Sequence, residues 1–265
     1  MREIELEDLG GSGLEVDARP GPAGPAARPT GKPRPALPYA AHPEVDYALD
    51  AIVDGAGFRV MQHLEGLEIV TGFQVANSYF VEPLRTGPTL NIREDSGGFG
   101  GAIIRNWLGS FRTVSLDVLA GTGVVALGLE VRRRPSPWNR VTVRAWNGEI
   151  LGVVEQRFRL LGTRYELQDP NGRVLATVER SWFRFFRFDF LVDGHPIGTI
   201  EKQWAGLARE LYTQADTFLV RIPESYADAR VRLLLLAASV AIDFVHFEGK
   251  RKGGYMGLWL SRGHD

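Results

Sequence analysis

Residues 226–248 read Tyr226-Ala-Asp-Ala-Arg-Val-Arg-Leu-Leu-Leu-Leu-Ala-Ala-Ser-Val-Ala-Ile-Asp-Phe-Val-His-Phe-Glu248. The stretch holds no glycine or proline and does not alternate with a period of two, so it reads as a helix of about 34 Å. Pro223 precedes it, and Ser225 with Asp228 has the Ser-x-x-Asp spacing of a capping box. Gly249 suits a C-terminal stop, and Lys250-Arg251-Lys252 complements the negative helix end. Between Arg232 and Asp243 the only polar residue is Ser239. Such a helix is apolar on every side. A membrane span requires roughly 20 apolar residues, and charges at Arg230, Arg232, Asp243 and Glu248 would fall within the bilayer. The favoured reading is a helix buried in a protein core.

Immediately upstream the pattern is that of strands. Val141–Trp146, Asn147-Gly148 and Ile150–Val154 lead to Phe158. Tyr165–Leu167, Asn171-Gly172 and Val174–Val178 lead to Trp182. Phe188–Phe190, Asp193-Gly194 and Ile197–Ile200 lead to Trp204. The turn glycines are 24 and 22 residues apart, as are the closing aromatics, and a looser copy spans Val114–Leu129. Asn-Gly and Asp-Gly between apolar runs predict β-hairpins in which both central residues have φ > 0. Four hairpins in series must share a sheet, which hides its edges as a barrel or a sandwich. An apolar helix inside a β-rich chain favours the barrel.

The 265 residues are 44% apolar and 24% charged, with a net charge of −1. This composition excludes a chain disordered throughout and a multi-span membrane protein. With no cysteine there are no disulfides, thiolate metal sites, Cys nucleophiles or Cys-linked lipid anchors. MREIELEDLGG is no secretory signal. Residues 1–45 read as a disordered, partly polyproline-II arm, with eight prolines between Pro20 and Pro43. A Pro-recognising protein could bind residues 20–43; a plain solvated tail is the simpler reading. The barrel domain is expected over 46–252 and a C-terminal tail over 253–265.

Several motifs together resemble the phospholipid scramblase family. They are Ile197–Trp204, Ala205-Gly-Leu-Ala-Arg-Glu210, Thr213–Phe218, Ile222-Pro223 and Ala241–Glu248, with Asn77-Ser-Tyr79 and Glu94-Asp95-Ser96 upstream. The likeness runs from about residue 55 to 248. It implies a tubby-like fold, a closed antiparallel β-barrel of about twelve strands around one central buried hydrophobic helix. It also implies bidirectional phospholipid movement between leaflets, or binding of anionic phospholipid, without covalent chemistry. The place implied is cytoplasmic, peripheral at the inner face of the plasma membrane. The sequence departs from the family twice. The palmitoylated Cys-rich segment is replaced by Gly97-Gly-Phe-Gly-Gly101. The calcium segment maps onto Gln214–Ser225, where Asp216 and an out-of-register Glu224 are the only carboxylates. Calcium takes six to eight oxygen ligands, so binding here is disfavoured and no cofactor is expected.

No nucleophile elbow, His-rich metal motif, Walker loop or Rossmann fingerprint is present, so no catalytic residue is assigned. The positive signal is electrostatic. Basic residues are 27 Arg and 4 Lys, and residues 132–187 hold twelve Arg against five acids. Arg180, Arg184 and Arg187 interleave with Trp182 and phenylalanines, and are the candidate contacts to anionic lipid. Lys250, Arg251 and Lys252 form a second candidate contact. The alternatives are ordinary strand alternation with Arg in solvent, a lipid- or acyl-chain-binding sensor barrel, and a nucleic-acid or protein-interaction module using the same Arg-aromatic face.

Overall fold

A computed structural model describes residues 37–63, 78–94, 113–132, 139–181, 183–184, 186–203 and 217–246. The chain divides into two units, Met1–Pro33 and Arg34–Asp265, and the second holds every element below. It begins with helix α1, Pro43–Asp54. Twelve strands follow: β1 Gly57–His63, β2 Ser78–Pro83, β3 Leu90–Glu94, β4 Thr113–Leu119, β5 Val125–Arg132 and β6 Arg140–Ala145, then β7 Ile150–Arg157, β8 Gly162–Gln168, β9 Val174–Ser181, β10 Arg187–Val192, β11 His195–Gln203 and β12 Thr217–Arg221. Helix α2, Ala229–His246, closes the order.

Each strand pairs antiparallel with its neighbour in sequence, and β12 pairs with β1, so the sheet is a closed barrel. Closure leaves no strand edge unpaired, which resolves the choice between barrel and sandwich. Apolar residues alternate inward, as in β4, where Val114, Leu116 and Val118 are buried between more exposed neighbours.

α2 occupies the interior. Every residue from Val231 to Asp243 is buried, whichever side of the helix it lies on. The helix packs most closely on β7, with β6, β8, β9 and α1 also against it. At Gly152 in β7, a Cβ would lie 2.2 Å from the Gln168 carbonyl oxygen of β8 and 3.1 Å from a Leu234 methyl, so the bare glycine backbone accommodates the neighbouring strand and the helix together. Burying each leucine of Leu233–Leu236 contributes about 2 kcal/mol. The cap differs from the expected box. Asp228 Oδ1 accepts from Val231 N at 3.0 Å, so the N-cap is Asp228, three residues after Ser225, and the helix starts at Ala229. The reason is reach: an N-cap oxygen meets the third helical amide, and from Ser225 that amide would belong to Asp228, before the helix begins.

Dividing the chain into an arm over 1–45 and a barrel domain from residue 46 left out α1, which crosses that boundary. Its apolar residues Val45, Ala48, Leu49, Ile52 and Val53 have the spacing of one helical face, and all are buried. Pro43 occupies the first turn, and His42 Nδ1 accepts from Val45 N at 3.4 Å. Residues just upstream are also tied down: Trp146 Nε1 donates to the Ala40 carbonyl at 3.1 Å, and the His42 and Trp146 rings are 4.7 Å apart.

The hairpin turns differ in detail from a uniform Asn-Gly design. Gly148 and Gly172 have φ of 83° and 84°, but among the described residues the only non-glycine with positive φ is Asp193, at 49°. Asp193-Gly194 is therefore the two-residue turn. The other two are longer turns followed by a bulge. Asn147 Oδ1 accepts from Glu149 N at 3.0 Å, and Asp169 Oδ1 accepts from Asn171 N and Arg173 N, both at 2.9 Å. These side-chain bonds hold the turn, so Asn147 and Asn171 keep ordinary φ.

Strand alternation gives the barrel two unlike ends. The tight-turn end carries the connections β2–β3, β4–β5, β6–β7, β8–β9 and β10–β11, together with α1 and the start of α2. The long-loop end carries β1–β2, β3–β4, β5–β6, β7–β8, β9–β10 and β11–β12, and α2 runs towards it.

Arg232 lies within the tight-turn end, fully buried. Its guanidinium donates to the carbonyls of Tyr226 at 2.8 Å, Gly55 at 2.6 Å, Pro223 at 2.7 Å and Ile52 at 3.4 Å. Ile52 and Gly55 are carbonyls at the end of α1, so one cation joins α1, the β12–α2 turn and α2. Burial lowers its pKa, and Asp54 nearby acts in the opposite direction. Replacing Arg232 with Leu strands these carbonyls in an apolar interior. The expected loss is about 2–4 kcal/mol, read as a fall in the urea midpoint, with Arg232→Lys intermediate because it keeps the charge and reaches fewer acceptors.

Candidate functional site

The long-loop end joins two chemically different surfaces. Inside the barrel, the inward positions nearest this end are polar on most strands. Gln62 in β1, Glu94 in β3, Gln156 in β7 and Thr163 in β8 are buried there, as is Asn139 just before β6. Arg180 in β9 and Lys202 in β11 are part-buried at the same level. The register supports this ring: Gln62 faces Tyr79, Thr163 faces Arg180 and Lys202 faces Phe218. Asn139 Nδ2 donates to Gln156 Oε1 at 2.6 Å. α2 adds Asp243, which accepts from the Tyr79 hydroxyl at 2.9 Å. The mouth is thus lined by both signs of charge, whereas the interior towards α1 is apolar apart from Arg232.

Arg180 belongs to this inner ring. Its Nη2 donates to Thr163 Oγ1 at 3.2 Å, and its guanidinium lies 5.3 Å from the centre of the buried Phe188 ring. Burial lowers its pKa, and Tyr165 opposes that shift. Burial also raises the pKa of the Tyr165 hydroxyl.

Outside the barrel, arginines and carboxylates form a belt. Arg157 meets Glu155 at 3.0 Å and Glu166 at 2.9 Å, and Arg164 meets Glu179 at 3.5 Å. Arg159, in the β7–β8 turn, reaches across to Glu179 in β9. Asp189 takes Arg184 at 3.3 Å and Arg187 at 3.0 Å. Glu201 takes Arg187 at 3.3 Å and Arg221 at 3.0 Å. The arginine excess of residues 132–187 is thereby moderated by acids that lie beyond that window in sequence and beside it in the sheet.

The three candidate arginines therefore do not form one face. Arg180 points into the mouth; Arg184 and Arg187 lie outside it, half-exposed and ion-paired. Trp182, Lys250, Arg251, Lys252 and Asp216 lie outside the described residues. Glu224 is exposed in the turn between β12 and α2, at the tight-turn end. Among the described residues no group of three His, Asp or Glu side chains could hold a metal ion. No helix there is long and apolar enough to cross a membrane.

A family model described as Scramblase matches residues 36–249. The chain belongs to the scramblase family. Phospholipid scramblase 1 of Mus musculus is 27% identical over 257 residues, covering 90% of this chain and 75% of that protein. Phospholipid scramblase 2 of Homo sapiens is 24% identical over 260 residues, covering 91% and 82%. A Saccharomyces cerevisiae relative, altered inheritance rate of mitochondria protein 25, is 24% identical over 245 residues, covering 74% and 72%. No solved structure matches. The twelve-stranded barrel around a buried helix agrees with the tubby-like architecture that the family resemblance implied.

In this scramblase-family barrel the inner ring was missed in the sequence. Its signal was present: Gln62, Glu94, Gln156 and Lys202 are polar residues at inward strand positions. Only the register around the closed barrel shows that they share one level. The inside and outside arginines should respond differently to truncation. Arg180→Ala is expected to lower stability by about 1–2 kcal/mol, through lost packing on Phe188 and an orphaned Thr163. Arg187→Ala, which loses only exposed ion pairs, should change it by less than about 0.5 kcal/mol. Urea unfolding of the two variants makes the comparison.

Proposed function

We propose that this chain acts at the surface of an anionic phospholipid membrane and moves phospholipid in both directions between leaflets. The carrying observation is the family match across residues 36–249, which spans the entire barrel. The long-loop end supports the reading, since it offers both outward arginines and a mouth of mixed charge. Such a mouth suits a head group bearing a phosphate and an amine. The activity moves lipid without making or breaking covalent bonds, and it requires no calcium. Its expected place is the cytoplasmic face of the plasma membrane. A partner that recognises proline-rich segments would engage residues 20–43.

The filled interior bears on mechanism. α2 occupies the barrel with its apolar side chains, so a head group passes at or beside the mouth and not down the barrel axis. The same filling weighs against a sensor that holds an acyl chain inside.

The test is reconstitution into vesicles that carry a fluorescent lipid, followed by dithionite bleaching. Bleaching beyond the outer-leaflet half is expected, unchanged by chelator or added calcium. A signal equal to protein-free vesicles rejects scrambling, and a strict calcium requirement rejects the metal-free form. Separately, Arg184→Gln with Arg187→Gln should weaken flotation with phosphatidylserine vesicles about fivefold per residue, from roughly 1 kcal/mol for each basic residue at an anionic surface.

A further inference from the structure

Resting on the membrane-surface reading, we propose that the barrel docks by one end: the β7–β8 and β9–β10 turns of the long-loop end enter the lipid interface. Phe158, Leu160 and Leu161 are 74%, 84% and 63% exposed, and Phe183 is 63% exposed. These are the most exposed large apolar side chains among the described residues, and they fall in two turns at the same end. The Arg159–Glu179 ion pair ties the β7–β8 turn to β9, the strand that leads into the second turn, and these two turns at the long-loop end are the tip.

The surroundings name the occupant. Guanidinium groups flank the tip, with Arg159 within the first turn and Arg184 beside Phe183 in the second. Arg157, Arg164 and Arg187 stand in the outer belt a step further from the tip. Apolar side chains at the leading edge with arginines set behind them match the order of a bilayer interface, where acyl chains lie below phosphates. The sequence continues the pattern: the residue after β7, β9 and β11 is Phe158, Trp182 and Trp204 in turn. Docking by this end places the polar mouth, with Arg180, Lys202, Glu94 and Asp243, against the head-group layer. The tight-turn end faces away.

The absence of cysteine allows a direct test on the full chain. Leu160→Cys and Asn171→Cys place a single label at the tip and in the exposed β8–β9 turn at the other end. Each carries an environment-sensitive fluorophore and is mixed with phosphatidylcholine vesicles with or without phosphatidylserine. With the acidic lipid, the label at 160 should shift to the blue and be quenched by spin-labelled acyl chains, while that at 171 stays unchanged. Leu160→Asp with Leu161→Asp should reduce flotation about tenfold or more. Protein that floats with a silent label at 160, or with a responding label at 171, overturns the docking end and leaves membrane binding standing. Failure of the unsubstituted protein to float overturns both. A blue shift at 160 without lipid that disappears on dilution would assign the tip to a second copy of the chain, and would also reject the inference.

Discussion

The structure depends on enclosing an all-round apolar helix. Leu233–Leu236, Val240 and Ile242 cover every side of α2, so no two-layer packing could bury them all. A closed sheet can, because it surrounds the helix. That requirement explains the twelve-strand closure, the bare backbone at Gly152 and the plug formed by α1. It also puts Arg232 and Asp243, the charges bounding the apolar run, inside the protein. Each is accommodated by polar groups: backbone carbonyls for Arg232 and the Tyr79 hydroxyl for Asp243.

The two barrel ends divide the labour. At the tight-turn end, short bulged turns and α1 close the core, and Arg232 links the chain segments that meet there. At the long-loop end, the inward positions turn polar while the β7–β8 and β9–β10 turns expose apolar side chains beyond the arginine belt, the reverse of the usual arrangement. A barrel needing only stability would gain nothing from that inversion, because buried polar side chains must each find partners. Family membership gives the inversion a setting, since an interface between water and lipid calls for both kinds of group at one place.

Ion pairing changes the meaning of the arginine count. A linear window sees twelve arginines and few acids, but antiparallel pairing returns Asp189 and Glu201 to their side. The outer belt is a network of shared carboxylates, in which Glu166, Glu179, Asp189 and Glu201 each hold two arginines. Such a network keeps guanidinium groups oriented while leaving them half-exposed.

The helix was legible in its own residues, because ten apolar positions on all sides admit few environments. The hairpins from β4 to β11 were legible too, through their turn glycines and alternating apolar residues. α1 escaped notice because its apolar spacing begins inside a proline-rich stretch. The mouth was hidden for a different reason. Period-two alternation tells that Gln62, Thr163 and Lys202 share a face of their own strands, but not that those strands meet at one height. The sequence by itself determined the buried helix, the hairpin series and the family. Only the closed tertiary structure decided that Arg180 points in while Arg187 points out, and that four exposed apolar side chains share an end, because barrel register joins residues by shear between strands and not by distance along the chain.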